Sequence, residues 1–411
     1  MKVLILSQYF APENVPIPSE LATELAGRGH DVLVLTGFPN YPRGKVFPGF
    51  RQRWRQYSVE DGLTVCRVPL FADHSQRAWA RMFNYLSFAF SSATARRFAA
   101  RADVIYVYAT QLTPALGPWL WRRKSRGVPY VLHIQDLWPD SITGSSISGV
   151  QGRFIARALN PWISSVYSRA AKIVAIAPTM RNTLVERGVP TGRVETVFNW
   201  APNTHTDSSG SVRPARLDDR QVTRIVYAGN VGDMQDLNTA VRAAAAAANS
   251  GVLLTIIGDG VAKQGLIELV KELGATNIEF RQPVPLETMP VVYGAADFGL
   301  VTLKDLALFR GTIPSKFQSI LMHGLPVITT VQGDVRELTE QYELGFTADA
   351  GSATSLEAAF RLASECSPSE RHALRERATD IAGRLFSRTA AVTQLESALI
   401  EAAGERNIRN D

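Results

Sequence analysis

Between Gly311 and Thr330 the chain reads GTIPSKFQSILMHGLPVITT. Packing an apolar helix against a sheet needs neither a hydroxyl nor an ammonium at the helix start, yet Ser315 and Lys316 stand there directly after Pro314. Proline suits the first turn because the N–H it lacks would have no partner there, and a serine oxygen can satisfy a neighbouring donor. The spacing therefore predicts a helix beginning at Pro314 to Lys316. Such a start presents unpaired N–H groups and roughly half a positive charge, to which Lys316 adds a full one, a combination suited to a phosphate or diphosphate. A plain cap followed by a solvated lysine has the same residues, so this stretch leaves both readings open.

Two glycine turns belong beside it. YAGNVGDM sets Gly229 and Gly232 after a β-branched run, where backbone can approach a ligand closely, and IIGDG repeats the device with Gly258 and Gly260. Each pair alone is what an ordinary turn requires; three such features at successive strand ends of one sheet point to an anion site. In the first half, YVLHIQDLWPDS places His133, Gln135 and Asp136 at a strand end. His133 and Gln135 share a face by the two-residue period and are expected to point into a cleft. A histidine satisfied by its neighbours and an aspartate capping the next turn are the alternatives.

The elements that must position these residues are short apolar runs alternating with amphipathic stretches. KVLILS, DVLVLT, DVIYVY, YVLHI and KIVAIA occur in the first half, and RIVYAG, LLTIIG, NIEF, DFGLVT and PVITT in the second. Near-continuous apolar strands separated by helices indicate parallel sheets covered on both faces, hence an α/β class. APNTHTDSSGSVRPARLDDRQVT offers no apolar stripe and reads as a linker, with the boundary near Pro214. The expected organisation is an N-terminal Rossmann-like domain over 1–205, a linker over 206–223, a second such domain over 224–385, and a terminal segment from 386 whose helical spacing runs from Ser387 to Ala403. That segment is expected to pack back on the N-terminal domain. Ligands of such sheets bind beyond the carboxyl ends of the strands, so two facing sheets would create a cleft.

Composition narrows the partners. The 411 residues, 45% hydrophobic and 20% charged, are too many for one simple core. Cys66 and Cys366 are far apart and without metal-ligand spacing. Net charge +6 and a pI near 9.4 favour an anionic partner, while no RNP-like, zinc-finger or helix-turn-helix signature argues for nucleic acid. MKVLILSQYF is too short an apolar run for a signal peptide, and no window reaches eighteen uninterrupted apolar residues, so a cytoplasmic, soluble or peripheral protein is expected. The loop SQYFAPENVPIPSE contains no glycine, which disfavours a dinucleotide site; Glu13 and Asn14 are candidate acceptor contacts or simple loop residues.

One further stripe stands out. Trp79, Phe83, Leu86 and Phe90 fall on one helical face, broadened by Tyr85 and Phe88, with Arg77, Arg81, Arg96 and Arg97 at its ends. Core packing accounts for it; so does an interfacial helix on an anionic membrane. Trp119, Trp121 and Arg122 to Lys124 form a second patch of this type.

The order YAGNVG, IIGDG, NIEFRQPVP, YGAADFGLVTL and PSKFQSILMHGLPVI resembles the C-terminal domain of family 4 retaining glycosyltransferases of the GT-B fold. SQYFAPE, ELAGRGHDVLVLT and QDLWPDS resemble the branch acting in bacterial colanic acid, capsule and O-antigen synthesis, including fucosyl and N-acetylfucosaminyl transferases. The resemblance covers nearly the whole chain. It implies that Gly229 and Asn230 border the donor diphosphate, that Lys316 contacts it from the other side, and that Arg281, Gln282 and Pro283 lie near the base. The family's Glu-x7-Glu pair is absent: Gly311 and Ser319 occupy its places, so Gln318 or Ser319 would supply hydrogen bonds to ribose and sugar. Lys316, the backbone N–H groups and Arg310 would then carry more of the diphosphate.

What the resemblance implies is a hexosyl-type transferase moving an N-acetylamino or deoxy sugar from a nucleotide-diphosphate donor to a polyprenyl-diphosphate-linked or small acceptor, with Asp136, seconded by His133, orienting or deprotonating the acceptor hydroxyl; a UDP-linked amino sugar and a GDP-linked deoxy sugar are both compatible with the branch, and UDP is the expectation taken forward. No metal or other cofactor is expected. The alternatives are a nucleotide-sugar epimerase or hydrolase on the same fold and a non-catalytic partner of a transferase.

Overall fold

Strands with no polar side in their alternation must be covered on both faces, and the chain builds two sheets of this kind. The structure, a computed structural model, describes residues 1–73, 78–122, 127–140, 150–200 and 222–408. The expected linker, Pro214 included, lies outside the described residues as far as 221, as do Arg77, Arg123 and Lys124. Contacts divide the chain into a first unit, Met1–Asn199 with Ala391–Asp411, and a second, Trp200–Ala390.

In the first unit, β1 (Lys2–Ser7), β2 (Asp31–Gly37), β3 (Gln56–Glu60), β4 (Leu63–Val68), β5 (Val104–Ala109), β6 (Tyr130–Ile134), β7 (Lys172–Ala175) and β8 (Val194–Thr196) pair in the order β3-β4-β2-β1-β5-β6-β7-β8. All neighbours are parallel except β3 and β4, whose hairpin turns at Asp61 and Gly62 with φ of 49° and 80°. Asp-Gly is the residue pair that such a tight hairpin needs. The closing helix Arg388–Ile408 is fastened to this unit by Glu396, which accepts from Arg28 at 2.6 Å and meets the His30 ring at 2.6 Å, and by Glu401 on Lys172 at 2.6 Å.

In the second unit, β9 (Thr223–Ala228), β10 (Val252–Ile257), β11 (Ile278–Arg281), β12 (Phe298–Val301), β13 (Val327–Thr329) and β14 (Gly345–Thr347) lie in the order β11-β10-β9-β12-β13-β14, every pair parallel. Ile225, Tyr227, Leu254, Ile256, Phe298 and Leu300 form the buried centre, packed against Leu237, Val241 and Phe360 from the flanking helices. Strand order reverses between β9 and β12, so crossovers diverge there and open a crevice at the strands' carboxyl ends.

Candidate active site

At those carboxyl ends lies a cavity of about 680 Å³ lined by Ala228, Gly229 and Asn230 at the end of β9, Ile257, Gly258 and Asp259 at the end of β10, Pro283 and Val284 after β11, and Ser315, Lys316 and Ser319 of a helix. That helix runs Ser315–Met322 with Pro314 as N-cap in an extended conformation (φ −62°, ψ 139°). The Ser315 hydroxyl makes no cap, contrary to the sequence expectation; it lines the cavity instead, because Pro314 already occupies the capping position. The amides of Ser315 and Lys316 belong to the first turn, where an α-helix supplies no acceptor.

Lys316 folds back across Gly229. A Cβ built on Gly229 would fall 2.3 Å from Lys316 Cε, and the φ of +137° at Gly229 is one that side chains disfavour. The ammonium donates to the Tyr227 hydroxyl at 2.6 Å and lies 4.5 Å from that ring's centroid. Burial pushes its pKa down to about 8. A half-buried cation facing a cavity, held by a neutral hydroxyl, is arranged to receive an anion.

The glycine loops work differently from the expectation that their amides cradle phosphate. Gly229 N–H donates to the Ile257 carbonyl at 2.9 Å and Val231 N–H to Asp259 at 2.9 Å, so these donors tie the two loops together. Gly258 permits that approach: its Cβ would sit 1.9 Å from the Gly229 carbonyl oxygen. Gly232 is buried and gives its N–H to Gln235 Oε1 at 3.1 Å, the same oxygen that takes the Asn230 side-chain amide at 3.2 Å; it shapes the loop without lining the cavity.

Other expected contacts are redistributed. Arg281 and Gln282 are exposed and outside the lining, and Arg281 pairs with Glu279 at 2.8 Å; Pro283 and Val284 take their place. Gln318 is buried and outside the lining, whereas Ser319 lines the cavity and is hydrogen-bonded to Tyr293. Arg310 is exposed and bound by both oxygens of Asp305, at 3.0 and 3.1 Å, which occupies the charge assigned to a diphosphate. Tyr227, Leu286, Met289 and Tyr293 were not singled out by sequence; Leu286 and Met289 give the cavity an apolar side fit for a planar base.

In the first unit His133 is wholly buried, its Nδ1 at 2.5 Å from the Tyr106 hydroxyl, and burial lowers its pKa to about 3. It is a neutral core residue, not a cleft-facing base: β6 is covered on both faces, so a two-residue period selects no open side. Asp136 is exposed at the end of β6, and partial loss of hydration raises its pKa. Burial raises the pKa values of Tyr85 and Tyr108, and the Asp136 charge adds to both. Glu13 is buried, accepting from the amides of Phe10, Asn40 and Tyr41 at 3.1, 2.7 and 2.8 Å; it clamps two loops.

The helix Ala78–Ala93 turns Phe88 inward and leaves Trp79 56%, Phe83 60% and Phe90 63% exposed, so the outer stripe is not core. Trp54, on a neighbouring loop, is 63% exposed and shares an apolar groove with Leu70 and Phe90. In the described part of the second patch Trp119 donates to Ser165 at 2.9 Å, Trp121 donates to the Ala93 carbonyl at 3.0 Å, and Arg122 is buried. No helix among the described residues is long and apolar enough to cross a membrane.

Two parallel-sheet α/β units, one with an anion-ready cavity at its switch point, define the GT-B class. The family described as "Glycosyl transferase 4-like domain" matches residues 17–200 and that described as "Glycosyl transferases group 1" matches residues 213–380. The chain belongs to the family 4 glycosyltransferases of the GT-B fold. It is 28% identical over 345 residues to WcaI of Escherichia coli (strain K12), assigned to colanic acid biosynthesis as a glycosyl transferase, covering 81% of this chain and 84% of that one. Among solved structures it resembles Anabaena Alr3699/HepE in complex with UDP (TM-score 0.64, 15% identity, 97% of this chain and 99% of that one). It also resembles WaaG, a glycosyltransferase involved in lipopolysaccharide biosynthesis (TM-score 0.60, 15% identity, 97% and 99%).

Proposed function

We propose that this chain transfers an N-acetylamino or deoxy sugar from a UDP-linked donor, with retention at the anomeric carbon, to a hydroxyl of a polyprenyl-diphosphate-linked acceptor in bacterial surface polysaccharide synthesis. The observation that carries the reading is the Lys316 ammonium, lodged against Gly229 at a helix start and bound by a neutral phenol. As the bond from the anomeric carbon to the phosphate oxygen breaks, its electron pair goes to the leaving diphosphate. A cation and first-turn amides fixed beforehand stabilise that charge without reorganising. The acceptor oxygen forms the new bond and surrenders its proton; Asp136, with its raised pKa, is the candidate to orient or accept it.

UDP as donor nucleotide is supported by the UDP complex of the Anabaena relative, and the pathway by the colanic acid and lipopolysaccharide relatives. Thermal unfolding in the presence of UDP, GDP and TDP tests it: UDP at 100 times its Kd should stabilise the protein by about 2.7 kcal/mol, since it binds only the folded state. No shift with any of the three would remove the nucleotide site.

A lipid-linked acceptor asks for a protein seated at a membrane on its cytoplasmic face. Exposed Trp54, Trp79, Phe83 and Phe90 beside Arg51, Arg53, Arg96 and Arg97 support a peripheral attachment, with no Asp or Glu between Asp31 and Glu60 or between Asp73 and Asp103. Each basic residue near anionic lipid contributes about 1 kcal/mol. Flotation with phosphatidylglycerol vesicles should retain the protein at low salt, and Phe83→Ser with Phe90→Ser should release it. Equal retention by uncharged vesicles would contradict the role given to the arginines.

A further inference from the structure

We propose that Tyr227 is the positioning residue of the site: it aims the Lys316 ammonium into the cavity without cancelling its charge. This rests on the reading of the cavity as a nucleoside diphosphate site.

Tyr227 sits next to last in β9, in register with Ile256 of β10, and is fully buried in the core of the second unit. The position looks purely structural. Its hydroxyl, however, joins two parts of the site, donating to the Asn230 carbonyl at 2.5 Å and accepting from Lys316 Nζ at 2.6 Å. A phenol has one proton. Burial holds its pKa far above the usual range, so that proton stays and is committed to Asn230, which leaves only lone pairs to face the ammonium. The direction of the chain, from Lys316 to Tyr227 to Asn230, is thereby fixed. It also locks the loop after β9 to the helix that begins at Ser315.

The choice of partner matters chemically. A carboxylate in this place would hold the ammonium as well, but would neutralise it and compete with an incoming diphosphate. A hydroxyl orients the cation at the cost of only part of its field, and leaves two of its three protons to donate. Burial beside a neutral partner keeps the cation poorly solvated, so an anion that enters meets little competition from water.

The test is Tyr227→Phe, which keeps the ring and removes the oxygen. In the unmodified protein UDP affinity should fall as the pH rises above about 8, because Lys316 then loses its proton. Without the phenol oxygen the charged form is less stabilised. UDP should bind about tenfold more weakly at pH 7.5, roughly the value of one lost hydrogen bond to a charged group, and the midpoint of the pH profile should move down. Uridine, which lacks the diphosphate, should bind both proteins alike. In a Lys316→Gln background, Tyr227→Phe should change UDP affinity no further, since its effect runs through that ammonium. An unchanged affinity and midpoint in Tyr227→Phe, or an equal loss in the Lys316→Gln background, overturns the proposal while leaving the nucleotide site intact. Failure of the unmodified protein to bind UDP overturns the reading beneath it instead. Should Tyr227→Phe fail to fold, the lysine ¹³C–¹H spectrum of the unmodified protein decides: one Cε resonance, absent in Lys316→Gln, must titrate near 8, below the other lysines, and its titration with the rest refutes the placement.

Discussion

Lys316→Ala lowers kcat/KM by about a thousandfold, close to 4 kcal/mol, the upper range for removing one preorganised charge-stabilising group. UDP affinity falls less, by roughly thirtyfold, because the ground-state diphosphate keeps its solvent and amide partners while the departing one gains charge in the transition state. The decline therefore divides about equally between kcat and KM. Steady-state kinetics with a UDP-sugar and isothermal titration with UDP separate the two numbers; equal losses in kcat/KM and in UDP affinity would mean that Lys316 only binds.

The same substitution has an opposite consequence for the empty protein. Folding lowers the lysine pKa from 10.5 to about 8, so between those values the unfolded chain holds more protons than the folded one. Stability of the unliganded protein then rises with pH across that window, and below it burial of the ammonium opposes folding in full. Lys316→Ala removes this term, so its unfolding free energy should be flatter from pH 8 to 10.5 than that of the parent. A lysine kept at a site where it destabilises the empty fold is retained for what it binds.

How much of this was legible from the sequence depends on whether the signal was local. The start of the helix at Pro314, the glycines of both loops and the ten apolar runs are short-range features, and each lies where the residues indicated. Tyr227 was not, since nothing in RIVYAG separates a core tyrosine from one whose hydroxyl holds a lysine 89 residues away in sequence. His133 failed for a related reason: alternation tells which residues share a face, and in a doubly covered sheet neither face is open. The stripe of Trp79, Phe83 and Phe90 shows the converse, since periodicity defines a face without saying what covers it, and only the three-dimensional arrangement leaves it bare. β8 and β14 read VET and GFT and carry no apolar run to mark them, whereas the hairpin of β3 and β4 was announced by Asp61-Gly62 and passed over.

Gly229→Ala should lower kcat/KM by about a hundredfold, the range for displacing one charge-stabilising group, while the protein still folds. The added carbon meets Lys316 Cε at 2.3 Å, and Cε is near the end of a flexible side chain, so the lysine swings aside and the backbone stays. The φ of +137° adds strain of about 1–3 kcal/mol, which a chain of this size tolerates. Gly258→Ala differs because its carbon meets the Gly229 carbonyl oxygen at 1.9 Å, a backbone atom that cannot turn away without breaking the pairing of the two loops. That variant should unfold at a clearly lower temperature than Gly229→Ala, measured by calorimetry without ligand. The double variant Gly229→Ala with Lys316→Ala supplies the deciding comparison: if glycine is there to make room for the ammonium, its kcat/KM equals that of Lys316→Ala alone, and a multiplied loss would assign Gly229 a contact of its own with the diphosphate.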